Sequence, residues 1–181
     1  MNIAEAKSDI EILFASADIA KRNEELAEEI AATMGSDILV IAVLKGSFVF
    51  AADLIRALHH AGVKPQIDFM ALSSYGDKTV SSGNVVITRD IVDTVKGRKV
   101  LLIDDILESG RTMAFATQEL LERGAETVKT CLMLDKKGKR VSGFEADFVG
   151  FDCPDLFVVG YGLDYAHYYR ELPYIGYIVK K

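Results

Sequence analysis

Val100 to Thr112 reads VLLIDDILESGRT. An apolar, partly β-branched run delivers two acids, Asp104 and Asp105, to what reads as the carboxyl end of a strand. A loop containing Gly110 then opens a helical pattern from about Thr112 to Arg123, and Gly124 marks its stop. This order places the backbone N–H groups of Ser109 to Thr112 at a helix start, where free donors and the helix dipole favour an anion. The hydroxyls of Ser109 and Thr112 add further donors. Paired carboxylates a few residues away suit such a site only if they hold a cation or a polyol, and a magnesium-bound sugar phosphate supplies both. The local chemistry therefore points to a ribose phosphate; the plain structural alternative is an acidic cap at an ordinary strand-to-helix turn.

Outward from this turn, strands and helices alternate. Ser16 to Gly35 reads as an amphipathic helix with Ile19, Leu26 and Ile30 on one face and Glu24, Glu25, Glu28 and Glu29 largely off it. Ile38 to Leu44, ILVIAVL, has the composition of a strand covered on both faces. Lys45, Gly46 and Ser47 then turn into a helix that runs to about His60, with Leu54, Ile55 and Leu58 inward, His59 and His60 at the surface, and Gly62 and Pro65 beyond its end. Strand character returns in Gln66 to Tyr75, Val85 to Ile91 and Thr127 to Asp135, and in short pieces near Phe148, Val158 and Ile175. Between the first two of these, SSYGDKTVSSG (Ser73 to Gly83) gathers Ser, Gly and charge, the makings of a mobile lid. The alternation predicts an α/β domain with a mainly parallel sheet and ligands at the carboxyl ends of its strands. No repeat or linker divides residues 1–181, which read as one domain.

Composition narrows the class. Half of the 181 residues are hydrophobic, enough for a sizeable core, and the formal charge of −6 provides no general field for a nucleic-acid backbone. No apolar run approaches the roughly 18 residues of a spanning helix, so no membrane partner is expected. The opening MNIAEAKSDIEILF carries acids where a secretory signal would carry Lys or Arg, which predicts a cytoplasmic protein. Cys131 and Cys153 lack ligand spacing and read as reduced, space-filling thiols.

The Val100–Thr112 run closely resembles the phosphoribosyl pyrophosphate signature of phosphoribosyltransferases: apolar strand, two acids, two apolar residues, an acid, Ser or Thr, Gly, any residue, Thr. From LKGS (Leu44 to Ser47) to the C-terminal strand, the chain resembles the hypoxanthine-guanine phosphoribosyltransferases in particular. The resemblance implies a type I phosphoribosyltransferase fold with a core of about 36–150, a small hood from the N- and C-terminal segments, and a flexible active-site loop. It also implies that Asp104 and Asp105 bind the ribose hydroxyls directly or through Mg2+, and that Glu108, Ser109, Gly110, Arg111 and Thr112 grip the 5-phosphate. Lys45 and Gly46 correspond to the pyrophosphate loop, where the family has a non-proline cis peptide. Ser74 and Tyr75 are carried to the pyrophosphate by the closing loop. Lys136 in LMLDKKGKR corresponds to the lysine that donates to the purine 6-oxo group; an ammonium only donates, which favours a 6-oxopurine over adenine. Its neighbours Lys137, Lys139 and Arg140 read as a solvated basic loop.

In DLFVVGYGLDYAHYYREL (Asp155 to Leu172), the resemblance makes Phe157 the ring that stacks on the purine and Val158 the backbone that binds its edge. Asp164 corresponds to a ligand of the magnesium on pyrophosphate, with its carbonyl available to the 2-amino group of guanine, and Arg170 neutralises pyrophosphate. Tyr161, Tyr165, Tyr168 and Tyr169 read as core or interface aromatics, and His167 has no catalytic part. The implied reaction gives IMP or GMP: the anomeric bond to pyrophosphate breaks as purine N9 attacks, with Mg2+, Lys45 and Arg170 taking up the departing charge. Glu108 accepts the N7 proton, one methylene longer than the Asp common in the family. Together Glu108, Asp105, Ser74 and Tyr75 form the expected catalytic set. Family members are usually homodimers or homotetramers. A different base, such as xanthine, uracil or orotate, is the alternative among enzymes. A nucleotide-sensing regulator that binds nucleic acid is the alternative outside them, against which the net charge and the absence of a basic arm weigh.

Overall fold

In the computed structural model, residues 10–75 and 84–179 are described. The order is β1 (Ile10–Phe14), α1 (Ser16–Met34), β2 (Leu39–Leu44), α2 (Phe48–His60), β3 (Gln66–Tyr75), β4 (Asn84–Arg89) and β5 (Lys99–Leu107). There follow α3 (Arg111–Glu122), β6 (Thr127–Asp135), a short 3-10 turn (Lys137–Lys139), β7 (Phe148–Asp152), β8 (Val158–Val159) and β9 (Ile175–Ile178). Most of the lid expected over Ser73 to Gly83, and the side chains of Ser74 and Tyr75, lie outside the described residues.

Leu39 to Val43 of β2 are buried whichever way their side chains point. A strand with no polar face needs cover on both sides, and the fold supplies it in layers. On one side Val40, Ala42, Leu101 and Ile103 pack with Ile19, Leu26 and Ile30 of α1 and Phe50, Leu54 and Leu58 of α2. On the other, Leu39, Ile41, Leu102 and Leu132 pack with Met113, Ala116 and Leu120 of α3. The six-stranded sheet runs β4-β3-β2-β5-β6-β7, parallel except for the antiparallel edge strand β4. This is the predicted helix–sheet–helix α/β architecture. A second, antiparallel sheet, β1-β9-β8, is built from the two ends of the chain. It docks against β7 through a stacked Phe14–Phe151 pair, 4.3 Å between centroids, while Arg22 of α1 donates to the Val149 and Gly150 carbonyls at 2.8 and 3.0 Å.

One boundary differs from expectation in a way that shapes the site. β5 does not stop at its acids but runs on to Leu107, because β6 continues beside it as far as Leu107↔Asp135, whereas its pairing with β2 ends at Ala42↔Ile103. Asp104 to Leu107 therefore have a strand on one side only, and the loop after β2 occupies the other. Likewise LFVVGYGLD is a strand only at Val158–Val159; beyond it Gly160, Tyr161 and Gly162 turn with positive φ. Among the described residues no helix is long and apolar enough to cross a membrane.

Candidate active site

The loop after β2 meets the acids of β5 at close quarters. The Leu44–Lys45 peptide is cis, as the resemblance implied. Gly46 lies so near the carboxylate of Asp105 that a β-carbon there would overlap Oδ2, and one on Gly162 would overlap the Gly46 carbonyl. Only hydrogen side chains allow these three segments to converge. Asp104 Oδ1 accepts from the Asp105 amide at 2.9 Å, and Asp105 Oδ1 accepts from the Ile106 amide at 2.8 Å. Burial, reinforced by the Asp105 charge, pushes the Asp104 carboxyl well above the ordinary carboxylate range. Burial also raises Asp105, less so because its hydrogen bond with Asp104 and the charge of Arg170 favour ionisation.

The carboxyl end of β5 leads into a cavity of about 170 Å³ lined by Asp104, Glu108, Ser109, Gly110, Thr112 and neighbouring apolar groups. Gly110 stands at φ 81° immediately before α3, and no side chain caps that helix start; within the turn, the Arg111 amide donates to Ser109 Oγ at 3.3 Å. Helix-start donors over a half-open concavity form a cradle for an anion.

Beside it, Lys136 Nζ reaches Glu108 Oε1 at 2.8 Å. The lysine side chain is only 6% exposed, and the glutamate's is 46% exposed. Phe157 stands 53% exposed, edge-on to Tyr165 with 5.5 Å between ring centroids. Its carbonyl accepts from the Ile178 amide at 3.2 Å, and Val158 pairs with Tyr177 of β9. Arg170 donates to the Gly162 carbonyl at 2.5 Å and pairs with Asp164 at 2.6 Å; the second Asp164 oxygen accepts from the His167 amide at 2.9 Å. Lys45 is exposed beside Gly46.

Residues 9–166 match the model of the phosphoribosyl transferase domain family. Hypoxanthine-guanine phosphoribosyltransferase of Bacillus subtilis (strain 168) is 46% identical over 172 residues, which cover 94% of both chains. Hypoxanthine phosphoribosyltransferase of Escherichia coli (strain K12) is 38% identical over 176 residues, 96% of this chain and 97% of that one. The chain belongs to the hypoxanthine-guanine phosphoribosyltransferase family. A crystal structure of a Staphylococcus aureus hypoxanthine phosphoribosyltransferase superposes with a TM-score of 0.89 at 38% identity, covering 98% of this chain and 96% of that one.

On this type I phosphoribosyltransferase fold, Asp104 to Thr112 and Lys136 lie at the ends of β5 and β6, Gly46 of the loop after β2 closes on Asp105, and Asp164 pairs with Arg170 on the Gly162 turn that touches Gly46. Phe157 precedes Val158 at the start of β8, beside β9. Among the described residues no three His, Cys, Asp or Glu side chains converge on one metal position. The adjacent Asp104 and Asp105 carboxyls, crowded and desolvated, form a donor set that a divalent cation would neutralise.

Of the four tyrosines read as core or interface aromatics, Tyr161 and Tyr169 are buried and Tyr165 and Tyr168 are exposed on this chain. One sequence reading needs correction. Arg140 is not part of a solvated basic loop: it is 14% exposed and paired with the buried Asp135. The readings of Lys137 and Lys139 stand, since both pair with surface acids, Asp152 and Asp155. Sequence reasoning also missed Asn23 and Asp53. The Tyr161 hydroxyl donates to Asp53 Oδ2 at 2.7 Å and accepts from Asn23 Nδ2 at 2.8 Å, tying α1 and α2 to the Tyr161–Gly162 turn. A polar Asn23 on the buried face of α1 was the one available signal.

Proposed function

We propose that this chain is a purine salvage enzyme, working as a single domain in the cytoplasm, that transfers the 5-phosphoribosyl group of phosphoribosyl pyrophosphate to N9 of hypoxanthine or guanine. The products are IMP or GMP and pyrophosphate. The observation that carries this reading is the Lys136–Glu108 pair at the mouth of the anion cradle. A 6-oxopurine with its N7 protonated presents an acceptor, O6, next to a donor, N7–H. A buried ammonium beside a carboxylate complements that edge, and the three donors of Lys136 let it hold Glu108 and O6 together. Adenine offers an amine at position 6, which the ammonium repels. The names of the relatives agree with this choice of base.

The residues then divide the work. The helix donors and hydroxyls around Ser109 to Thr112 hold the 5-phosphate, Phe157 presents its exposed ring to the purine, and the Val158 backbone meets the base edge. Asp104 and Asp105 bind the ribose diol, and with Asp164 they would hold Mg2+, which when bound would supply positive charge for the leaving group. Lys45, the Gly46 amide and Arg170 neutralise the leaving group, and Ser74 and Tyr75 close over it. As N9 bonds to the anomeric carbon and the bond to pyrophosphate breaks, Glu108 takes the N7 proton. The functional unit is a homodimer or homotetramer, as is usual in the family.

The test is to supply phosphoribosyl pyrophosphate and magnesium with hypoxanthine, guanine, xanthine, adenine or uracil in turn, and to measure nucleotide and pyrophosphate. Nucleotide is expected from hypoxanthine and guanine and lost with chelator. Product from adenine or uracil alone would overturn the reading.

A further inference from the structure

Three successive carbonyls ahead of α3 are captured by one segment. Leu107 O accepts from the Lys136 amide at 2.9 Å, and Glu108 O accepts from Arg140 Nη1 at 3.0 Å. Ser109 O accepts from both the Val141 amide at 3.2 Å and Ser142 Oγ at 3.0 Å. A trans peptide plane holds its C=O and N–H on opposite sides. Fixing these carbonyls on the side of residues 136–142 therefore turns the amides of Glu108, Ser109 and Gly110 away from that segment, and the same residues border the anion cavity.

The segment is itself anchored. Arg140 pairs with Asp135, the last residue of β6, and both side chains are largely withdrawn from solvent. It lies directly on the loop, since a β-carbon at Gly110 would overlap Ser142 Oγ and come within 3.0 Å of Phe144 Cβ.

We propose that Arg140 and Ser142 are positioning residues that set the anion-binding conformation of the Glu108–Gly110 loop. The inference rests on the nucleotide reading above, in which this loop holds the 5-phosphate. Neither side chain is needed as a phosphate ligand; each acts by keeping a carbonyl turned out. Without them a peptide is free to rotate and present its oxygen to a phosphate dianion, replacing a donor with a repulsive dipole.

The experiment measures dissociation constants for inosine 5′-monophosphate and for inosine on the full chain, comparing wild type with Arg140→Met, Ser142→Ala and Ser142→Thr. The ratio of the two constants isolates what the 5-phosphate contributes. The expected result is a ratio reduced about tenfold in Arg140→Met and about threefold in Ser142→Ala, with inosine affinity unchanged. Ser142→Thr, which keeps the hydroxyl, restores the wild-type ratio. Equal weakening of both ligands would mean that the segment only supports the fold, and would overturn the proposal; so would a ratio unchanged in Arg140→Met and Ser142→Ala. If the wild-type chain binds the monophosphate no more tightly than inosine, the nucleotide reading fails and the proposal with it, a result visible before any variant is made.

Discussion

Lys136 Nζ lies 2.8 Å from Glu108 Oε1, and the lysine is the buried member of the pair. The ammonium therefore fixes where the more exposed carboxylate stands. Lys136→Ala removes that anchor and the donor assigned to the purine 6-oxo group. Hypoxanthine affinity is expected to fall about 10- to 100-fold, the effect of losing a charge-assisted hydrogen bond, while phosphoribosyl pyrophosphate affinity hardly changes. Calorimetric titration of each substrate checks this, and equal losses would remove Lys136 from the base site.

Glu108 is assigned the proton on N7, so the chemistry of its substitutions matters more than their size. Glu108→Gln keeps the shape but cannot accept a proton, and kcat is expected to drop about 10²- to 10⁴-fold. Glu108→Asp keeps a carboxylate beside Lys136 and should retain far more activity. Steady-state rates for both variants at saturating substrates give the order, and a Gln variant as active as the Asp variant would exclude the role.

Gly46→Ala places a β-carbon on Asp105 Oδ2, and the carboxylate can move aside only by giving up the hydrogen bond that its Oδ1 accepts from the Ile106 amide. Overpacking of this kind costs roughly 1–3 kcal/mol. Melting temperature is expected to fall by roughly 2–4 °C per kcal/mol, with turnover lost beyond what stability explains because Asp105 is displaced. Thermal unfolding alongside activity measures the two effects; a variant with normal turnover would deny the close approach a functional part.

The raised carboxyls of Asp104 and Asp105 set the sign of a pH effect. Below the ordinary aspartate range both are protonated in folded and unfolded chain alike, and the pair carries no penalty. As pH rises through the elevated folded values, the unfolded chain ionises first and stability is lost. Melting temperature of the magnesium-free protein should therefore fall from mildly acid to neutral pH through this pair, and added magnesium should recover part of it. Asp104→Asn is expected to flatten the dependence and to raise neutral-pH melting by roughly 2–4 °C while impairing activity. Superimposable profiles for wild type and variant would count against the assignment.

Tyr161 is buried with its hydroxyl between Asp53 and Asn23, and burial pushes that phenol upward in pKa. Tyr161→Phe leaves the buried Asn23 amide without its partner, while Asp53 keeps Arg56, at a cost of about 1–3 kcal/mol readable as a shift of the urea midpoint with unchanged slope. An unchanged midpoint would show that Asn23 finds another hydrogen bond.

Reading the chain alone was most successful where neighbours in sequence are neighbours in space. The apolar run ending in Asp104 and Asp105, the glycine before α3 and the doubly covered β2 obey local rules of periodicity and helix starting, so the layered α/β fold and the strand–glycine–helix turn after β5 were legible in the sequence. The family resemblance added roles for Lys45, Lys136, Phe157, Asp164 and Arg170, but no distances between them. Tertiary structure alone decided which distant groups meet. Glu108 and Lys136 are 28 residues apart in sequence, and Asn23 and Tyr161 are 138 apart. Arg140 resembled any other cation in a basic loop until β5 and β6 paired in the register Leu107↔Asp135, which brings the Asp135 carboxylate and the Glu108 carbonyl within its reach. The physical reason is that strand pairing and packing sum small energies over the whole sheet, and the register they select is not written in any one segment.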